Sequence, residues 1–266
     1  MGRRVTWAAV GRIVEDLSQR DRAILADVGR VRVLTGQQIG RLHFAELQGA
    51  HRDRTRRRVL ERLVSLQLLA TLERRVGGVR AGSAGLVFAL GPAGQRLLVL
   101  EQNGSDGRVR RPGTPTDRFL GHNLAVAELY VSLVEAARAG ALTLATFDAE
   151  PDCWWRDSEG EWIKPDAYVM VSAGDVEDCW AIEVDMATES LPTLRRKLTA
   201  YLRLVEQGER GPNGGVLPRV LVTVPDERRR VALRGLASGL PPPVSELVTV
   251  VLDVEASAHL VKVLRE

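Results

Sequence analysis

Residues 162–189 read WIKPDAYVMVSAGDVEDCWAIEVDMATE. Two apolar runs flank an acidic, glycine-containing turn, the pattern of two strands joined by a tight connection. Asp166 opens the first run, and Glu183 and Asp185 occupy alternate positions near the end of the second. Side chains alternate across a strand, so Glu183 and Asp185 share one face while Val184 points to the other. Asp166, on the adjacent strand, can meet Glu183 across the sheet. Three carboxylates on strands that otherwise read as core admit two explanations. One is a metal-dependent site for phosphodiester chemistry, and the other is a solvated sheet edge.

The flanking sequence reads as an α/β layer around these strands. TDRFLGHNLAVAELYVSLVEAARAG (116–140) is an amphipathic helix, with Thr116 or Asp117 as cap and Gly140 placed to stop it. LTLATFDAE (142–150) follows as a strand, and CWWRDSEGEWIKPDAYVMV (153–171) reads as two strands around the turn DSEGE. CWAIEVDM (179–186) is the most buried-looking strand. SLPTLRRKLTAYLRLVEQG (190–208) is a helix capped by Ser190, with Pro192 in its first turn. Strand PRVLVTVP (218–225), helix DERRRVALRGLASG (226–239) and strand LVTVVLDV (247–254) complete the order. A mixed central sheet is expected.

The first hundred residues carry a different pattern. LSQRDRAILADVGRVRVL (17–34) has Ser18 as N-cap and apolar positions at helical spacing. TGQQIGRLHF (35–44) opens on a second cap, Thr35, and DRTRRRVLERLVSLQLLATLERRV (53–76) contains a third helix running into a strand. On this third helix Val59, Leu60, Leu63, Val64 and Leu66 make the apolar face, and Arg52, Arg54, Arg56, Arg57, Arg58 and Arg62 crowd its first half. A glycine-rich turn, GGVRAGSAG (77–85), leads to a second strand, LVFAL (86–90). Three helices followed by a hairpin is the winged-helix order, in which the third helix enters the major groove of double-stranded DNA. The arginines stand where phosphate and base contacts are needed, and the wing adds Arg74, Arg75 and Arg80. A charge run of this kind can also be a solvated helix face, and a winged helix can bind protein instead of DNA. GPAGQRLLVLEQ (91–102) reads as a short closing helix and NGSDGRVRRPGTPT (103–116) as a linker. The expected organisation is therefore a DNA-binding domain over 1–102, a linker over 103–116 and an α/β domain over 117–266. The fold class is α/β, or α+β.

Charge supports two modules with different partners. Residues 1–117 hold 21 Lys+Arg against 11 Asp+Glu, while residues 118–266 hold 16 against 23. Only three of the cations are lysine, a bias that genome composition can produce, so arginine preference by itself says nothing of phosphate recognition. No apolar run approaches the ~18 residues of a membrane helix, and the N-terminal MGRRVTWAAVGRIVEDL acquires charge too early for a secretory signal. Cys153 and Cys179 are too few for a zinc site or a disulfide framework and read as reduced thiols of a cytoplasmic protein. The chain carries no G-K-[ST] phosphate loop, HExxH or GxSxG.

PDAYVMV (165–171), AIEVDMATES (181–190) and LRRKLTAYLRL (194–204), preceded by RRRVLERLVSLQLL (56–69), give the chain a resemblance to a known group. The α/β half resembles the PD-(D/E)xK restriction-endonuclease-like fold. The whole, from about residue 18 to about 255, resembles the actinobacterial replication-relaxation family of plasmid and mobile-element proteins. The resemblance implies Asp166 and Glu183 as ligands of Mg²⁺ or Mn²⁺, which screens phosphate charge and activates water. It also implies a lysine two residues after the second acid, where this chain has Asp185. Lys197, on the following helix, or Lys164, two residues before Asp166, would have to supply that cation, with Glu189 and Glu128 as further acids. His122 and four tryptophans (Trp154, Trp155, Trp162, Trp180) are weaker candidates, the tryptophans being expected in the core.

Two readings follow. In the first, the chain is a DNA-binding protein of plasmid or mobile-element replication, relaxation and transfer, with a degenerate nuclease-like domain and no cofactor. In the second, Asp166, Glu183, Asp185 and Lys197 form an active Mg²⁺- or Mn²⁺-dependent endonuclease or nickase. Both imply double-stranded DNA as partner and no membrane. Plasmid replication or transfer proteins are further partners, and a palindromic target would call for a homodimer.

Overall fold

The computed structural model describes residues 11, 13–72, 85–103 and 117–265. The chain divides into two compact units, 1–127 and 128–266, the division falling inside one long helix.

In the first unit, helix α1 (Gln19–Val31) starts on a capping box in which Asp21 N donates to Ser18 Oγ and Ser18 N donates to Asp21 Oδ2. The expected continuation of this helix to residue 34 is not what forms. Arg32 turns out of the helix at φ 70°, and Val33–Thr35 becomes strand β1. The β-branched ends of that short strand suit an extended backbone, and its pairing with a distant strand outweighs local helical spacing. Thr35 then caps α2 (Gly36–His43), again through a capping box, and α3 spans Gly49–Ser65. Strands β2 (Leu69–Leu72) and β3 (Val87–Leu90) complete an antiparallel sheet in the order β1-β3-β2. Helix α4 (Pro92–Asn103) closes the chain back on it. A Cβ on Gly94 would lie 2.1 Å from the Leu68 carbonyl oxygen, so only glycine allows this approach. Ile24, Leu25, Val28, Leu34, Ile39, Leu63 and Leu97 form the buried centre. The wing residues Arg74, Arg75 and Arg80, and nearly all of the expected linker, lie outside the described residues.

Helix α5 (Asp117–Arg138) sets Leu120 and Leu124 against Val33 and Val87 of the first unit. Its later residues belong to the second unit, where the Tyr130 ring meets Phe147 at 4.9 Å. The second unit is built on β4 (Thr143–Ala149), β7 (Ala167–Ala173), β8 (Val176–Val184), β9 (Arg219–Val224) and β10 (Val248–Leu252). Their order is β10-β9-β8-β7-β4. The pairs β4/β7 and β7/β8 are antiparallel, and β8/β9 and β9/β10 parallel, so the sheet is mixed and the protein α+β. The expected strand pair around DSEGE exists only as a small separate ribbon, β5 (Trp155–Arg156) with β6 (Trp162–Ile163). Pro165, which has no N–H to donate to a ladder, separates that ribbon from β7.

The alternation of β8 decides the layers. Trp180, Ile182 and Val184 face one side, where Trp180 meets His259 of α9 (Ala256–Val263), a helix the sequence pattern did not reveal. Ala181 and Glu183 face the other, under α6 (Leu191–Glu206) and α7 (Glu227–Ser238). Leu194, Leu198, Leu202 and Leu233 cover that side together with Val220, Val222 and Val224. Short helix α8 (Val244–Leu247) leads into β10.

Candidate functional site

The β7/β8 register brings Asp166 opposite Glu183, because Ala167 pairs with Ile182. Asp166 N donates to Ile182 O at 2.9 Å, and Asp166 Oδ2 accepts from Val184 N at 2.7 Å. The carboxylate is therefore fixed by the backbone of the strand that carries its neighbour. The buried Cys153 thiol donates to Pro165 O at 3.1 Å and holds the residue just before Asp166.

Glu183 is met from above by α6. Lys197 and Tyr201 are four residues apart, so both leave the helix on one side. Lys197 Nζ donates to Glu183 Oε2 at 3.0 Å, and Tyr201 OH donates to Glu183 Oε1 at 2.7 Å. Glu189 stands 3.6 Å from the same ammonium. Burial, then the Asp166 charge, push the Glu183 carboxyl up to about 7, against the pull of Lys197 and Tyr201. Burial works against the Lys197 charge, but Glu183 and Asp166 outweigh it and hold that ammonium above its ordinary value. Burial and the Glu183 charge likewise raise the Tyr201 phenol, which stays a donor.

Helix α6 thus brings the Lys197 ammonium to Glu183, two strand positions from Asp185. Asp185 faces the same side but is taken by α7. Arg229 Nε pairs with Asp185 Oδ2, a guanidinium Nη2 reaches Asp185 Oδ1 at 3.2 Å, and the same nitrogen donates to Glu189 O at 2.6 Å. Ala187 N also donates to Asp185 Oδ1 at 3.0 Å. Lys164 sits over the Trp154 ring, 5.0 Å from its centroid. Glu128 is exposed on α5, and His122 falls in the first unit. Trp155 and Trp180 are buried as expected, whereas Trp162 is 46% exposed and carries the Arg156 guanidinium on its ring.

Sequence reading did not assign roles to Tyr201 and Arg229. The spacing K-x-x-x-Y could have found the first, since a helix places those residues together. Nothing local distinguishes Arg229 from Arg228 and Arg230 beside it.

As arranged, these residues do not fit a bound Mg²⁺ or Mn²⁺. Both Glu183 oxygens already accept hydrogen bonds, one from a cation, and Asp166 Oδ2 accepts another. Asp166, Glu183 and Asp185 are each under 10% exposed. Among the described residues, no group of three or more His, Cys, Asp or Glu side chains is placed to share one metal ion.

In the first unit the six arginines of α3 separate by role. Arg62 Nη2 pairs with Asp21 Oδ1 at 2.6 Å, and Asp21 is 1% exposed. Burial raises the Asp21 carboxyl, but Arg62 and Ser18 outweigh it and hold the group below its ordinary value. Arg62 therefore ties α3 to α1. Arg56 pairs with Asp53 at 3.2 Å and packs against Gly40 of α2, and Arg52 is half-buried. Arg54, Arg57 and Arg58 are exposed, on one side of the helix by their spacing.

The chain belongs to the replication-relaxation family, whose model matches residues 25–220. The matched span takes in α3 and the whole Asp166, Glu183, Lys197 and Tyr201 group, and ends before Arg229. No curated protein and no solved structure matches the chain. The family's description connects it with replication and relaxation. Among the described residues no helix is long and apolar enough to cross a membrane.

Proposed function

We propose that the chain is a duplex-DNA-binding protein of plasmid or mobile-element replication, relaxation and transfer, and that it holds DNA without cutting it. Residues 1–102 act as a winged helix, residues 103–116 as a linker, and residues 117–266 as a PD-(D/E)xK-type core whose carboxylates have become structural. The observation that carries the DNA reading is the exposed arginine group Arg54, Arg57 and Arg58 on α3. The order α1-β1-α2-α3-β2-β3 supports placing that helix in the major groove, with the arginines on phosphates and base edges. The capture of Glu183 by Lys197 and Tyr201, and of Asp185 by Arg229, supports the absence of cleavage. The protein works in the cytoplasm, with replication or transfer proteins as partners and as a homodimer on a palindromic target.

A specific observation favours a second reading. Lys197 lies 3.0 Å from Glu183, where a relocated catalytic lysine would stand, so an active endonuclease remains the competing function. It requires Lys197 and Tyr201 to release Glu183 so that Asp166 and Glu183 can hold Mg²⁺ or Mn²⁺.

The binding claim is tested by titrating a fluorescent duplex at several salt concentrations. Six or more phosphate contacts would lower affinity by about 10³-fold or more between roughly 50 and 200 mM salt. Binding that ignores salt, or no binding at low salt, would remove the DNA reading.

A further inference from the structure

Helices α6 and α7 cover their side of the second unit's sheet only in part. Beyond Ala181 the same face continues through Tyr168, Met170, Thr146 and Cys179, as the register places them. These four residues are the floor of a 730 Å³ cavity. Two further segments, 152–155 and 212–217, supply its walls. The second wall is shaped by close backbone contact. Gly211 N donates to Gly215 O at 2.9 Å, and a Cβ on Gly211 would lie 2.1 Å from the Val216 carbonyl oxygen. Asp166, Glu183, Lys197 and Tyr201 do not line this cavity, so it is not part of the carboxylate group.

The lining is strongly acidic. Asp148, Asp152, Glu177 and Asp178 stand against one base, Arg219. That base is already committed, since it pairs with Asp178 and lies 4.2 Å from the centroid of the Trp180 ring. The remaining acids fall at two ends. Asp148 is opposite Tyr168, and Glu177 is opposite Ser172. Along the strands and across two strand spacings, their backbones are roughly 16 Å apart. Asp152 belongs to the Asp148 end, because its N–H donates to Ala149 O at 3.0 Å. Burial, then Cys179, Glu177 and Asp148, push the Tyr168 phenol up to about 12, so both ends act on the middle of the cavity. That middle is aromatic and apolar, lined by Trp154, Tyr168, Met170 and Leu217. The Trp154 ring already draws one cation, the Lys164 ammonium, 5.0 Å from its centroid.

A cleft lined by one sign of charge concentrates the opposite ion. An inorganic cation does not suit this one, since among the described residues no group of three or more His, Cys, Asp or Glu side chains is placed to share a metal ion. Acids at both ends of an aromatic and apolar trough instead complement ammonium groups spaced along methylenes. A basic peptide would also bring backbone amides, for which Trp154, Met170 and Leu217 offer no acceptor. We infer that this cavity binds a linear aliphatic polyamine, with ammonium groups at Asp148 and Asp152 and at Glu177, and methylenes over Trp154 and Met170. The inference is independent of the DNA reading. It gives the α/β unit a small-molecule site on the same sheet face as the carboxylate group.

The test is calorimetric titration of the full chain, free of DNA, with spermidine in about 0.1 M salt. Saturable one-to-one binding is expected for wild type. Binding roughly tenfold weaker is expected for Asp152→Asn/Glu177→Gln, which removes one charge at each end. Both residues are exposed, so the variant keeps its core, and an unchanged urea midpoint establishes that it is folded. Mg²⁺ at the same charge concentration is expected to leave spermidine bound. Unchanged affinity in the folded variant, no saturable binding by wild type, or equal displacement by Mg²⁺ would overturn the inference. Tighter binding of an arginine tetrapeptide than of spermidine would also overturn it and make the cavity a seat for a basic protein segment. None of these outcomes alters the DNA reading, whose test is the duplex titration.

Discussion

Changing Arg54, Arg57 and Arg58 together to alanine is expected to lower duplex affinity about a hundredfold and to flatten the salt slope by roughly 3. The three side chains are exposed on α3, so their loss opens no core cavity and leaves folding stability within about 0.5 kcal/mol. Arg62→Ala should behave in the opposite way. Its guanidinium is spent on the buried Asp21 carboxylate, so its removal should cost stability more than binding. Fluorescence anisotropy beside urea denaturation separates the two effects. Unchanged affinity in the triple variant would show that α3 does not carry the DNA contact, whatever its charge.

The second large effect is expected at Arg229. Asp185 is 1% exposed in its side chain and Arg229 is 15% exposed. Removing one partner of a buried ion pair leaves an uncompensated charge and typically costs about 3–5 kcal/mol. Arg229→Ala also strips the Glu189 carbonyl of its donor, loosening the segment that leads into α6. A urea midpoint shift of that size is therefore expected, with part of it recovered in Arg229→Ala/Asp185→Ala because the stranded carboxylate is gone. A loss under about 1 kcal/mol in the single variant would mark the pair as solvated and worth little. Asp185 would then be available for chemistry at the site.

Local signals explain why some of this architecture was legible in the sequence. Ser18, Thr35 and Ser190 cap helices with their own side chains, so the cap and the first turn lie within four residues of each other. The alternation of β8 fixed which of its residues share a face with Glu183, because a strand has a period of two. Strand β1 was hidden because Val31, Val33 and Leu34 extend the helical apolar pattern of α1, and only pairing with β3 selects the strand. The break of the second strand after DSEGE into β6 and β7 was hidden, since it depends on a single proline. Helix α9 follows the last strand without a strong cap or a long apolar stripe. At the site, Asp166, Glu183 and Lys197 were legible as candidates, and the structure gathers all three. The fate of Asp185 was not legible, because its partner lies 44 residues away among three adjacent arginines.

A protein that binds DNA and leaves it intact has a plain signature on supercoiled plasmid incubated with wild type and with Glu183→Ala, with and without Mn²⁺, when a gel shift is run on the same samples. Both proteins are expected to shift the plasmid in a salt-sensitive way, and the plasmid to stay supercoiled throughout. Nicking by wild type in Mn²⁺ that disappears in Glu183→Ala would overturn the binding-only reading. That result would make the Asp166, Glu183 and Lys197 group an active endonuclease centre.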